Sequence, residues 1–175
     1  PANLSKEMIL AGILTVFAWD QENAHLDYYR SLMQAAAPNI REELTEAAIL
    51  KIRNGDFEMA EEIFRSLRGL DPDDMTTVLN LALLMDERAD SMRRSGLEEE
   101  ADAFDAEAFA HYRQAMAAEP PMPEAFFNAG YFFLKQKNFR KARQALEAFL
   151  QTETDKSDRT AERKERAKAI IEEIS

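Results

Sequence analysis

Residues 54–74, NGDFEMAEEIFRSLRGLDPDD, place Phe57, Ala60 and Phe64 on one helical face, with Leu67 close to it. Gly55-Asp56 makes a tight turn before the helix. Asp71-Pro72 ends it, because proline disfavours helical geometry in the residue it follows. A small residue followed four positions later by a large one recurs in NFRKARQALEAFL, residues 138–150, as Ala142 and Leu146, with Phe149 after them. It recurs again in AEAFAHYRQAMAAEPP, residues 106–121, as Ala108 and Tyr112, followed by Ala115 and Pro120. Ala24 and Tyr28, with Pro38 further on, form a fainter copy. An apolar stretch with a small residue at its centre precedes each copy: Ala11-Gly12, Ala47-Ala48, Leu81-Ala82 and Ala129-Gly130. Small residues let a neighbouring helix approach, and the bulky residue one turn away fills the gap. The pattern predicts an all-α chain of antiparallel helix pairs.

The spacing is periodic. Ala108 to Ala142 is 34 residues, Ala24 to Ala60 is 36, and Ala60 to Ala108 is 48, which is 34 plus 14. This period and this small–large order resemble the tetratricopeptide repeat family. The resemblance implies an α-solenoid in one domain over 1–175. Its parts would be a degenerate pair at 5–38, repeats at 41–74, 75–122 and 123–156, and a capping helix at 157–175. The family's usual aromatic in the first helix is Leu44, Val78 or Phe126 here, so the last copy alone keeps it. In the capping segment, Ser157 or Asp158 would start the helix. Ala167, Ile170, Ile171 and Ile174 would form its apolar face.

The extra 14 residues divide evenly. Gly55 precedes Ala60 by 5 residues, whereas Gly96 precedes Ala108 by 12. Ala48 precedes Gly55 by 7 residues, whereas Ala82 precedes Gly96 by 14. Each helix of this hairpin, 86–107, should therefore be about two turns longer. Met85, Ala89 and Met92 carry the apolar stripe outward, and Leu97, Ala101, Phe104 and Ala108 carry it back. Arg93 and Arg94 precede the Ser95-Gly96 tip and Glu98 and Glu99 follow it, placed to pair across it. The prong would offer a second contact surface.

In the tetratricopeptide family the first helices line a concave groove that usually takes a peptide. Once the core pattern is assigned, Ile49, Leu79, Leu83, Phe127, Tyr131 and Leu134 remain as an apolar strip on that face. Thr45 and Glu124 stand where a carboxylate-gripping groove would want lysine, so that variant is not implied. The expectation is a protein-interaction module, adaptor or chaperone-like, holding an apolar segment of a protein or peptide partner. Small acidic three-repeat chaperones of bacterial secretion systems are similar in size, charge and groove character. The alternative is a self-associating scaffold subunit that uses the same strip as an oligomer interface. The strip could equally be covered by the N-terminal or C-terminal helices. If it is open, Leu83→Lys or Phe127→Asp should abolish capture and leave helicity intact.

Charge narrows the partners. With 33 acidic against 22 basic residues the formal charge is −11, which disfavours nucleic acid and anionic membranes. There is no cysteine, which excludes disulfides and thiolate chemistry. The apolar run 8–19 is shorter than the roughly 20 residues a membrane span needs. It is expected to be a buried helix rather than a targeting segment or a membrane insertion. A cytoplasmic location fits, with the periplasm as the alternative. Glu22-x-x-His25 is half of a di-iron helix signature and lacks its counterpart, and His111 has Ala108, not an acid, three residues before it. No phosphate-binding, dinucleotide or nucleophile-elbow motif occurs. No enzyme activity, metal or cofactor is expected.

Overall fold

Asp56 and Asn138, 82 positions apart (138 − 56), cap two helices in the same way. The Asp56 carboxylate accepts from the Met59 N–H at 3.4 Å, and the Asn138 amide oxygen accepts from the Lys141 N–H at 3.2 Å. The residues before them, Gly55 and Lys137, both take left-handed backbone, with φ of 78° and 60°. The Asp56 N–H donates to the Lys51 carbonyl at 2.8 Å, and the Asn138 N–H to the Phe133 carbonyl at 2.9 Å. These bonds close the preceding helices as well. The two hairpins, α3 (Ile40–Arg53) with α4 (Phe57–Leu70) and α7 (Pro123–Lys135) with α8 (Phe139–Thr152), thus share a turn bond for bond. Their buried residues match at the same offset: Ala48 with Gly130, Ala60 with Ala142, Phe64 with Leu146, Leu67 with Phe149.

Lys137 adopts a conformation that favours glycine, at a cost of roughly 1–2 kcal/mol. Glycine gains backbone entropy on unfolding, which offsets part of this. Lys137→Gly is therefore expected to raise stability by about 0.5–1 kcal/mol, read as a higher urea midpoint with an unchanged slope.

The structure is a computed structural model that describes residues 5–175; the sequence expectation for residues 1–4 lies outside them. The described residues form nine helices and no strand, so the chain is all-α. It divides into two compact units, one ending at Ala108 and the other running Phe109–Ser175, where the sequence predicts one domain. The boundary falls inside α6 (Glu98–Met116).

The helix α5 (Met75–Arg94) has 20 residues and α6 has 19, against 14 for each of α3 and α4. The predicted lengthening is present. Gly96, at φ 76°, makes the turn, and the Arg88 guanidinium lies 4.4 Å from the Phe104 ring centroid. Arg93 reaches across to Glu98 at 3.2 Å, Asp102 at 3.1 Å and Asp105 at 2.6 Å. Those contacts set the start of α6 antiparallel to the end of α5. Arg94 does not pair across the tip as expected. It turns back to Glu87 at 3.7 Å on its own helix, and Glu99 is exposed.

The N-terminal helices depart from the repeat. α1 (Lys6–Trp19) packs chiefly on α4, and only lightly on α2 (Leu26–Ala36). A Cβ on Gly69 of α4 would lie 2.5 Å from both the Cα and the carbonyl oxygen of Phe17, so the two backbones meet there. The Ser66 hydroxyl donates to the Leu14 carbonyl at 2.9 Å, and Arg30 Nε of α2 donates to the Gly69 carbonyl at 2.7 Å. The small pair expected at Ala11-Gly12 is exposed, as is Ala24, and Tyr28 is 65% exposed. Ile13, Phe17 and Ala18 are buried instead. The reason lies on α4, whose second face offers Ser66 and Gly69 as a seat for an apolar helix.

In the second unit Ser157 caps α9 (Asp158–Ile174), accepting from the Thr160 N–H at 3.2 Å. Hydrogen bonds from the Ser157 and Thr160 hydroxyls push the Asp155 carboxyl down to about 2. Ala167, Ile170 and Ile171 of α9 pack on a cluster of Phe127, Leu146 and Phe149, as their spacing predicts.

Candidate functional site

The predicted strip is only partly open. Ile49 and Leu83 are 40% and 37% exposed, and Tyr131 and Leu134 are half-buried. Leu79 and Phe127 are 4% and 6% exposed, so the structure corrects both as groove residues. Phe127 is covered by α9. Its ring packs on Phe149 with centroids 4.8 Å apart, and the Arg163 guanidinium sits 4.7 Å from its centroid. Arg163 is held there by Glu124, with N–O distances of 2.7 and 3.2 Å. The same hydrogen bonds hold the Glu124 carboxyl below the usual carboxylate range. Ile170 and Ile171 join the cluster beside Tyr131. Phe127→Asp would thus place a charge in a core and is no probe of a surface. Leu79 shares its burial with Thr77, Val78, Leu81, Ala82, Leu84 and Met85, so over this segment of α5 Leu83 is the apolar residue left exposed.

Two clefts lie outside the predicted strip. In the first unit Leu14, Leu44, Met59, Glu62 and Ile63 line a cleft of about 200 Å³ formed by α1, α3 and α4. In the second, Phe109, Arg113, Phe126, Phe133, Lys141 and Ala145 line one of about 280 Å³ formed by α6, α7 and α8. Leu44 and Phe126, Met59 and Lys141, Glu62 and Gln144, and Ile63 and Ala145 correspond at the 82-residue offset (126 − 44). Their signal in the sequence is positional. They flank the small residue, Ala60 or Ala142, on the side of the second helix that the repeat core leaves over.

His25 is exposed at the start of α2, with its ring edge-on to Tyr29 at 6.3 Å, and His111 is half-buried. Among the described residues no group of His, Cys, Asp and Glu is placed to hold a metal ion, and no helix is long and apolar enough to cross a membrane. No family model matches the chain, and no curated protein or solved structure matches it.

Proposed function

We propose that the chain is a protein-interaction module built on tetratricopeptide-like helix pairs, an adaptor or chaperone-like protein that holds an apolar segment of a partner. The surface used is the first-helix face of the unit ending at Ala108. One observation carries this reading. Ile49 and Leu83 stand 34 positions apart (83 − 49), at the same place in successive pairs, and both leave large aliphatic side chains in water. Tyr131, the third member of the series, lies under α9. Leu50, 56% exposed, adds to the first pair's apolar surface. Exposed apolar surface repeated at a fixed position favours burial against a partner. The charge of −11 favours a partner segment with basic flanks.

Mass spectrometry of proteins that co-purify from native cells identifies the partner, which is then titrated in pure form. The double variant Ile49→Asp, Leu83→Lys is expected to weaken binding at least tenfold. Its helicity should be unchanged, since both positions are exposed. Unchanged affinity would overturn the reading. If light scattering shows a dimer that the same variant dissolves, the strip is a self-association interface and the chain a scaffold subunit.

A further inference from the structure

We propose that the cleft formed by α6, α7 and α8 is a separate docking site for an acidic peptide segment that inserts an aromatic side chain between carboxylates. The site is independent of the Ile49–Leu83 face and does not rest on its assignment. The cleft is floored by aromatic rings. Phe109 and Phe133 meet edge to face with centroids 5.9 Å apart, and Phe126 completes the wall. Ala145, the smallest residue of the lining, leaves room beside them. A further ring inserted here would meet aromatic edges and faces in the arrangements that such rings prefer.

The rim carries charge of one sign. Lys141 Nζ stands 4.5 Å from the centroid of Phe109 and 5.7 Å from that of Phe133, so the ammonium is steered over the mouth. Arg113 and Gln144 also line the cleft, and no carboxylate does. Among the described residues no acid pairs with Arg113 or Lys141. Two unpaired cations beside an aromatic floor, in a chain of charge −11, select an anionic partner locally against the sign of the whole molecule.

The matching cleft of the first unit shows that the fold does not require this chemistry. There Met59 replaces Lys141, Glu62 replaces Gln144 and Ile63 replaces Ala145. The charge of the lining changes from one carboxylate to two cations, and the cleft grows from about 200 to about 280 Å³. One architecture therefore serves two linings, and the second unit's is the larger and the cationic one.

The test uses the full chain labelled with 15N and the blocked peptide acetyl-Glu-Asp-Phe-Asp-Glu-amide. Three control peptides carry Ala for Phe, Lys for every acid, or both changes. The expected result is a saturable set of shifts at the amides around Phe109, Arg113, Lys141 and Ala145, lost with the Ala peptide and weakened at least tenfold with the Lys peptide. Lys141→Glu, an exposed position, should reverse the preference between acidic and basic peptides. Ala145→Ile, which copies the other cleft, should abolish binding by filling that room. Absence of saturable shifts at millimolar peptide overturns the proposal. So do shifts elsewhere on the surface, or equal affinity for acidic and basic peptides.

Discussion

Gly69→Ala is expected to destabilise the protein by about 2–3 kcal/mol, although alanine is the better helix former. The methyl group would fall 2.5 Å from the Phe17 Cα and carbonyl oxygen. Those are backbone atoms, so no side-chain rotation relieves the contact and α1 must move as a whole. Moving it exposes Phe17, now fully buried, and breaks the bond from the Ser66 hydroxyl to the Leu14 carbonyl. Gly12→Ala is the control. A methyl group there meets nothing within 4 Å, so helix propensity alone acts and a gain of about 0.5–1 kcal/mol is expected. Urea unfolding followed by circular dichroism gives both values. Loss at one glycine and gain at the other is the expected sign pattern. A gain at Gly69 would mean that α1 does not sit on α4.

Phe149→Ala is expected to cost about 3–5 kcal/mol. The ring is fully buried, packs on Phe127, and lies in the cluster that receives Ala167 of α9. Its loss leaves a void where the second hairpin and the C-terminal helix meet. Phe149→Leu is the graded case, because Leu67 holds the same position in the first hairpin. It should cost about 1–1.5 kcal/mol. Urea midpoints of the two variants are compared, and α9 is expected to become sensitive to protease in the alanine variant first. Equal costs would show that the seat for α9 depends on the ring's own shape, which leucine does not restore.

Much of this was legible in the sequence. The αL-then-cap turn is a local property of three or four residues, so Gly55-Asp56, Gly96 and Asn138 announced it. The 14 extra residues split evenly about Gly96, and the longer helices followed from counting. Lys137 hid its left-handed backbone because nothing in lysine itself favours that conformation. The seat of α1 was hidden for a different reason. An apolar helix advertises that it will be buried but not against what, and Gly69 looked like one glycine in a helix whose other face was already explained. Phe127 was misplaced for the same kind of reason. The face of α7 that a partner could occupy is the face that α9 fills, and apolarity alone does not distinguish a ligand from the chain's own helix. Neither cleft is legible in the sequence, because second-helix positions such as Met59 and Lys141 stand outside the core stripe.

Trp19, the chain's one tryptophan, ends α1, 60% exposed and with the Arg65 guanidinium of α4 lying 5.8 Å from its ring centroid. The protein therefore carries an intrinsic fluorophore at the contact between α1 and α4. Its emission follows the attachment of that single helix, while the far-ultraviolet dichroism follows every helix at once. The two signals together would time the release of α1 against the melting of the rest without any label.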